Sequence, residues 1–247
     1  MTAGDPSLSK SEALIPALEK EGVDLIELGV PFSDPLADGP VIQASSQRAL
    51  QRGVTLEKIL AMAKRARKKT QLPLVFMSYL NPIAHYGLGR FAKAAKAAGV
   101  DGVIIPDLPP DEGREIAPVL AKQGLNLIYL VAPTSTLRRQ RMVCKASRGF
   151  IYFVSVTGVT GVRRALAPQM LAQVRALKRS AGRPVCVGFG VSTPDQARTV
   201  ARYADGVIIG SALVKALNAH ASLSAGTFAK RFIRPFARSL GKGVLHG

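Results

Sequence analysis

Residues 26–40 have the sequence Ile26-Glu27-Leu28-Gly29-Val30-Pro31-Phe32-Ser33-Asp34-Pro35-Leu36-Ala37-Asp38-Gly39-Pro40. The stretch begins as a short apolar strand that one carboxylate, Glu27, interrupts. In a (β/α) barrel such a carboxylate points into the barrel near its C-terminal mouth, where active sites lie. Burial there raises a carboxyl pKa and suits the group to acid–base chemistry near neutral pH. A buried acid paired with a basic neighbour for stability is an equally good interpretation from spacing alone.

The two aspartates that follow on this loop are expected to lie over the same mouth. Asp34 precedes a proline and Asp38 precedes a glycine. Aspartate is common in turns at such positions, so turn formation is the alternative interpretation for both. That alternative is stronger for Asp34 than for Asp38, and Asp38 is therefore the better candidate for chemistry.

The rest of the chain alternates short apolar runs with longer helical patterns, which predicts βα units around a parallel sheet. Short, nearly continuous apolar runs are typical of strands that are buried on both faces. The predicted strands are Leu25–Leu28, Leu74–Tyr79, Gly102–Ile105, Leu125–Val131, Phe150–Val154, Val185–Gly188 and Gly206–Ile209. The predicted helices include Leu8–Glu21, Leu56–Lys68, Gly89–Ala98, Asp111–Gln123, Pro168–Arg179 and Pro194–Tyr203, with Gly22, Gly99 and Gly124 as stops.

Two α/β architectures are compatible with the number of predicted strands. The pattern gives seven strands and a first helix with no complete strand before it, because only Met1-Thr2-Ala3 is available there. An open doubly wound sheet would tolerate seven strands. The loop chemistry favours a (β/α)8 TIM barrel that lacks most of its first strand. We expect a single domain over residues 1–247, because a chain of this length suits one barrel. We expect the shortened barrel to have exposed strand edges, unless the strands at Leu25 and Gly206 close directly on each other.

Three glycine-rich loops follow successive strands late in the chain. They are Ser155–Gly161, Gly188–Ser192 and Gly210-Ser211, and the last one opens a short helix at 212–218. Backbone N–H groups freed by glycine, together with a helix N-terminus, form an anion site, and barrels build such a site after strands 7 and 8. One such loop would indicate only a tight turn. Three in succession predict a phosphate site.

The net charge of the chain is +18, from 34 basic and 16 acidic residues. A field this positive attracts anions, including phosphate esters and nucleic acid. The basic residues are spread over many predicted helices, and the densest run, Lys64–Lys69, has no aromatic residues that could stack on bases. We therefore interpret the charge as a solvated surface and expect no nucleic-acid partner.

Cysteine content and hydropathy indicate the compartment. Cys144 and Cys186 are the only cysteines, and two unclustered cysteines form neither a metal site nor a disulfide framework. The N-terminus has neither a basic region nor an apolar core of the signal-peptide kind, and no run reaches the roughly 18 apolar residues of a membrane span. The sequence thus predicts a cytoplasmic protein with no membrane contact.

Several motifs together resemble the tryptophan synthase alpha family. They are Thr2-Ala3-Gly4-Asp5-Pro6, the Glu27–Pro40 stretch, Asn81-Pro82, Pro106-Asp107-Leu108-Pro109, Ser155–Gly161 and Gly188–Gly190, which keep the family's order and approximate spacing. The resemblance runs from Thr2 to about Asn218. The Glu27–Pro40 stretch is highly specific, whereas the glycine loops alone would fit many phosphate-binding barrels.

The resemblance implies a lyase that cleaves indole-3-glycerol phosphate to indole and glyceraldehyde 3-phosphate in tryptophan biosynthesis, without a metal or other cofactor. It implies that Glu27 is the catalytic acid/base, Asp38 the second catalytic acid, and Tyr152 their neighbour. It further implies that Gly161, Gly190, Gly210 and Ser211 bind the phosphate. A beta-subunit partner, in an α₂β₂ assembly, would dock over the mouth near three residues: Asp34, Asn81 and Pro109.

Apolar strand ends supply candidates for an indole pocket. Met77, Ile104, Phe189 and Ile208 have the expected positions, although core packing is the simpler interpretation of any one of them. Three departures from the family stand out: the incomplete first strand, the strong basic charge and a tail after Ser222 without a motif. Alternative functions are another phosphate-site barrel, such as a sugar-phosphate isomerase or decarboxylase, and a non-catalytic subunit that only activates a beta subunit.

Overall fold

The computed structural model describes residues 1–154, 168–188 and 190–241. All seven predicted strands are confirmed within these ranges, and the predicted run at 125–131 is divided at Tyr129. The strands are β1 (Ile26–Gly29), β2 (Leu74–Met77), β3 (Gly102–Ile104), β4 (Asn126–Ile128), β5 (Leu130–Val131), β6 (Ile151–Val154), β7 (Val185–Gly188) and β8 (Gly206–Val207).

Helices follow the strands, and several begin at side-chain caps such as Ser7 and Thr193. The helices are α1 (Leu8–Lys20), α2 (Pro40–Gln51), α3 (Leu56–Arg67), α4 (Leu80–Tyr86), α5 (Leu88–Ala97), α6 (Ile116–Lys122), α7 (Leu137–Ala146), α8 (Pro168–Ala181), α9 (Pro194–Ala201), α10 (Ser211–Ala219), α11 (Ala225–Phe232) and α12 (Arg234–Ser239). The predicted glycine stops are confirmed, because Gly22, Gly99 and Gly124 have φ values of 89°, 81° and 71°.

One predicted helix, Asp111–Gln123, is two pieces: a 3₁₀ turn at Glu112–Arg114 and then α6. The cause lies in Pro118, which has no N–H to donate to a preceding turn. Proline is tolerated in the first turn of a helix, whereas in the interior it removes a backbone hydrogen bond and bends or breaks the helix. A new helix that begins at Ile116 places Pro118 in that first turn, whereas one continuous helix from Asp111 would not.

All strand pairs are parallel, and they follow chain order around the barrel. β1 to β4 form one set and β5 to β8 the other. The two sets are joined because β4 and β5 are consecutive parts of one extended segment, and the Tyr152 N–H donates to the Tyr129 carbonyl at 3.2 Å between them. The curved sheet is therefore continuous from β1 to β8.

A short segment at the N-terminus occupies the place of the first strand. Thr2 forms a parallel bridge with Gly29, the Gly29 N–H donates to the Met1 carbonyl at 2.8 Å, and the Ala3 N–H donates to the Gly29 carbonyl at 2.9 Å. Residues 1–3 thus bring the strand positions to eight, as the (β/α)8 architecture requires. Within the described residues β8 pairs only with β7, so direct closure of β1 on β8 does not occur.

Beside this short first strand lies a cavity of about 640 Å³. It opens at the end of the barrel where the strands begin and extends inward to Glu27. Its lining is mostly apolar and includes Ile26, Val207, Ile209 and Phe236.

Alternation along the strands separates two apolar layers. Leu28, Leu74 and Phe76 belong to the large core between strands and helices, whereas Val75 and Ile104 belong to a smaller cluster inside the barrel. Successive side chains of a strand point to opposite faces. Glu27 lies between two outward-facing neighbours and opposite Val75 in the register, so its side chain shares the inner face.

Candidate active site

Glu27 lies in the interior of the barrel, as the sequence predicts. Its side chain is half-buried and borders the cavity. Burial raises the pKa of the Glu27 carboxyl; the amino group of Met1 opposes this rise, and the negative charge of Asp38 adds to it. A carboxyl with a raised pKa can donate a proton at neutral pH and then accept one, as acid–base catalysis requires.

Asp38 ends the loop that follows β1, immediately before the N-terminus of α2. Burial raises its pKa, and a hydrogen bond from the Tyr79 hydroxyl opposes this rise. The charge of Asp38 acts on both Glu27 and Tyr152. The two predicted catalytic carboxyls are therefore close enough to influence each other, and they share one site.

Tyr79 belongs to this site, although in the sequence it is only the last residue of the predicted strand Leu74–Tyr79. Its hydroxyl lies 3.2 Å from Asp38 Oδ2 and accepts the Ala37 N–H at 2.9 Å. Its ring also contacts Phe32, with 5.3 Å between ring centroids. The only sequence signal was its position, just past an apolar strand, at the end where barrel active sites lie.

Tyr152 projects from β6 into the same interior. Burial raises its pKa well above the ordinary value, and the charge of Glu27 contributes after burial. Its ring lies directly against Gly188, where an added Cβ would come within 2.4 Å of the hydroxyl oxygen. Gly188 thus leaves the space that Tyr152 occupies, which adds a second role to a glycine interpreted from sequence as part of an anion loop.

The inner apolar cluster forms the walls around these polar groups. Tyr152 packs there with Ile104 and Ile128, and Met77 and Ile208 contact the cluster from its edge. Three of the four indole-pocket candidates thus lie on the inner face of the barrel. The fourth, Phe189, lies outside the described residues.

The predicted phosphate-binding residues follow β7 and β8. Gly190 has φ 58°, and a Cβ added there, or at Gly210, would meet no atom of the described residues within 4 Å. Gly210 is the N-cap of α10, and Ser211 is its first residue, which places a nine-residue helix N-terminus at the mouth. Gly161, like the rest of the Ser155–Gly161 loop, lies outside the described residues.

The residues predicted to contact a partner also lie at the mouth. Asp34, Asn81 and Pro109 follow β1, β2 and β3, on three adjacent loops. Asp34 and Asn81 are exposed and Pro109 is half-buried. On the first of these loops the side chain of Leu36 is 94% exposed, an unusual position for a large apolar residue.

Two carboxyls of raised pKa thus act on Tyr152 in the inner apolar cluster, and a helix N-terminus begins after β8. Such an arrangement fits a flat apolar ring that carries a phosphate ester. Within the described ranges no group of three His, Cys, Asp or Glu side chains is placed to hold a metal ion. No helix in those ranges has the length and apolar character that would carry it across a bilayer.

A family model described as "Tryptophan synthase alpha chain" matches residues 1–235. The chain belongs to the tryptophan synthase alpha chain family. A tryptophan synthase alpha chain of Geobacter sulfurreducens is 50% identical over 241 residues, covering 98% of this chain and 91% of the relative. A tryptophan synthase alpha chain of Geotalea daltonii is 54% identical over 215 residues, covering 87% and 81%.

Solved structures of the tryptophan synthase alpha chain family support the same fold. The tryptophan synthase subunit alpha of Legionella pneumophila superposes with a TM-score of 0.89 at 37% identity, covering 98% of this chain and 90% of that one. A chain of the tryptophan synthase complex of Pyrococcus furiosus gives 0.89 at 34% identity, covering 96% of each. The TIM-barrel fold and the resemblance inferred from sequence are thereby confirmed.

The activity follows from membership of the tryptophan synthase alpha family. The chain is a lyase of tryptophan biosynthesis that cleaves indole-3-glycerol phosphate. The alternatives of a sugar-phosphate isomerase or decarboxylase are excluded by this assignment.

Proposed function

We propose that Glu27 and Asp38 carry out the alpha reaction, with Tyr152 beside them and with Gly161, Gly190, Gly210 and Ser211 holding the substrate phosphate. The observation that carries the proposal is the pair of carboxyls, Glu27 and Asp38, whose pKa values burial raises and whose charges both act on Tyr152. This arrangement holds one proton donor and one negative charge near a flat aromatic substrate.

The cleavage needs two proton movements. Protonated Glu27 delivers a proton to C3 of the indole ring, which leaves positive charge on the ring nitrogen. The resulting carboxylate takes the proton of the glycerol hydroxyl on the carbon attached to C3. The bond between C3 and that carbon then breaks, its electrons neutralise the ring nitrogen, and glyceraldehyde 3-phosphate leaves as the aldehyde.

Asp38 supports this sequence as a carboxylate. It accepts the ring N–H as a hydrogen bond and stabilises the positive charge that develops there, which is where preorganised charge contributes most to rate. Glu27 therefore acts in the protonated form at the start of the cycle, whereas Asp38 acts in the ionised form. No cofactor is needed for either step.

The phosphate would lie against the N-terminus of α10. The first-turn N–H groups of α10 and the helix dipole attract an anion, and the glycine backbone at Gly190 allows close approach. The net charge of +18 favours the arrival of a phosphate ester.

The partner is a tryptophan synthase beta subunit, which docks over the mouth in an α₂β₂ assembly. Support comes from the related chain in the tryptophan synthase complex of Pyrococcus furiosus and from the exposed Leu36 on a mouth loop. Asp34, Asn81 and Pro109 would border this contact. We place the whole chain, 1–247, in a single barrel domain, working in the cytoplasm without contact to nucleic acid or membrane.

The test is indole production by Glu27→Gln and Asp38→Asn. Each substitution should lower kcat by about 10²–10⁴ while circular dichroism stays unchanged. Glu12→Gln, a helix α1 acid paired with Arg65, is the matched control and should keep full activity. Kinetics within a few-fold of the parent for either variant would overturn its assignment.

A further inference from the structure

Tyr79 is a buried tyrosine at the junction of β2 and α4. Its side chain is 6% exposed, and the residue is the N-cap of α4, where backbone geometry rather than its side chain begins the helix. The side chain is thus not needed as a helix cap. It reaches across the mouth to the loop after β1, 41 residues away in the chain.

The hydroxyl of Tyr79 forms hydrogen bonds with both the backbone and a carboxylate of that loop. The Ala37 N–H can only donate, so the hydroxyl oxygen accepts at 2.9 Å. The hydroxyl proton is then free to be donated to Asp38 Oδ2 at 3.2 Å. The ring contact with Phe32 fixes the start of the same loop.

The electrostatics favour one direction of proton donation. Burial raises the pKa of Tyr79, and the charge of Asp38 acts further in that direction, so the phenol stays protonated at physiological pH. Its hydrogen bond lowers the pKa of Asp38 against the rise that burial causes. Other titratable groups of the described residues that act on this pair are Glu27 and Tyr152, facing Asp38, and Asp107, beside Tyr79.

We propose that Tyr79 is the positioning residue of the alpha reaction, which fixes the loop after β1 and presents Asp38 as an oriented carboxylate. Tyr79 acts through Asp38 and the Ala37 amide, not on the substrate. The inference rests on the proposed role of Asp38 and assigns the group that maintains its ionised form. Asp107 does not take the place of Tyr79 as a hydrogen-bond partner of Asp38, because the Asp107 carboxylate accepts the Leu80 N–H at 3.0 Å.

The first test is Tyr79→Phe, measured as the pH profile of kcat. Loss of one hydrogen bond to a charged group should lower kcat by about 10–100-fold. Without the donated hydrogen bond the pKa of Asp38 rises, so ionisation of Asp38 requires a higher pH. The acid limb of the profile should therefore move to higher pH. Tyr129→Phe is the control, because Tyr129 is equally buried but lies against Gly113, away from the loop.

A second variant keeps the volume and the hydroxyl of the side chain, so it does not depend on tolerance of a cavity. Site-specific 3-fluorotyrosine at position 79 makes the phenol a stronger donor, and the acid limb should then move to lower pH. Opposite shifts from the two variants are the expected result. A limb that stays in place in both would overturn the inference, even if kcat falls.

The Asp38→Asn background separates this inference from the proposed function. If Tyr79 acts through the carboxylate, Tyr79→Phe should cause less than a threefold further loss in that background. An equal loss in both backgrounds would mean a merely structural role for Tyr79 and would overturn the inference. Full activity of Asp38→Asn alone would overturn the proposed function instead.

Discussion

Three acids that lie where the strands begin differ in their surroundings from Glu27 and Asp38, toward the other end of the barrel. Where the strands begin, Asp101 pairs with Arg67 at 2.8 Å, Asp205 with Lys178 at 2.7 Å and Glu21 with Arg234 at 2.5 Å. Burial opposes ionisation of Asp205, yet hydrogen bonds from Lys178 and the Val185 N–H lower its pKa overall. At the mouth, burial raises the pKa values of Glu27 and Asp38.

Pairing and burial therefore give these carboxyls different roles. An ion pair favours the charged form of an acid and contributes to stability, whereas an acid buried among apolar side chains costs stability at neutral pH and gains the ability to exchange a proton. The sequence alone left both interpretations of Glu27 open. The contrast between the two ends supports the acid–base interpretation.

Glu27→Gln is the substitution with the largest expected effect. Besides the loss of activity, it should raise the melting temperature at neutral pH. The folded pKa of Glu27 lies above its unfolded value, so the folded parent loses stability as pH rises from the unfolded pKa to the folded one. The gain should therefore be absent below about pH 4 and grow with pH, at about 2–4 °C per kcal/mol. A lower melting temperature at pH 8 than the parent would contradict the burial argument.

Gly190→Asp should have the second-largest effect of these substitutions. The new carboxylate repels the substrate phosphate, and a side chain at φ 58° is strained. Affinity for glyceraldehyde 3-phosphate, measured by calorimetry, should fall at least tenfold. Gly182→Asp is a matched control at the other end of the barrel, because Gly182 has φ 61° and similarly open space. Equal binding by the two variants would remove Gly190 from the phosphate site.

Gly188→Ala tests the packing of the mouth more finely. Its Cβ would lie 2.4 Å from the Tyr152 hydroxyl oxygen, so the ring must move, at a cost of about 1–3 kcal/mol. Both kcat and the free energy of unfolding should fall. Gly206→Ala, whose Cβ would meet the Cys186 sulfur at 2.7 Å, should have little effect on kcat because it acts at the other end. A fall in kcat for both would show that the two ends are coupled.

Asp205→Asn should give the smallest effect and the opposite sign to Glu27→Gln. Asparagine keeps the acceptor for the Val185 N–H but loses the charge that pairs with Lys178. The pair is partly exposed, so the expected loss is about 0.5–1 kcal/mol, with kcat unchanged. The depressed folded pKa contributes stability above the unfolded pKa of about 4, and the contribution is lost as pH falls through the folded pKa. Thermal melts at pH 3 and pH 7 should therefore differ from the parent only at pH 7.

The strands, the helix stops and the position of Glu27 could be predicted from sequence, because each depends on local signals. A carboxylate that interrupts an apolar strand predicted that Glu27 points into the barrel, and glycine marked the ends of helices such as α1 and α5. The division of the fifth strand position at Tyr129 could not be predicted, because the apolar run is continuous there.

The role of Tyr79 depends on contacts that the sequence pattern does not encode. Its hydroxyl meets a carboxylate 41 residues away, and an aromatic residue at a strand end is usually a core residue. Gly188 is a similar case: its local pattern indicated an anion loop, whereas the approach of Tyr152 comes from a neighbouring strand. Contacts between residues so far apart in the chain can be identified only from the three-dimensional structure.

The contact between Tyr152 and Gly188 also restricts how the family's sequences can drift. A side chain at 188 requires a shorter side chain at 152, because even the ring carbon Cε1 would lie 2.6 Å from a Cβ there. Removing the hydroxyl alone, as in phenylalanine, does not release the restriction. The two positions should thus be replaced together or not at all, and in an alignment of relatives they should appear as a correlated pair on adjacent strands.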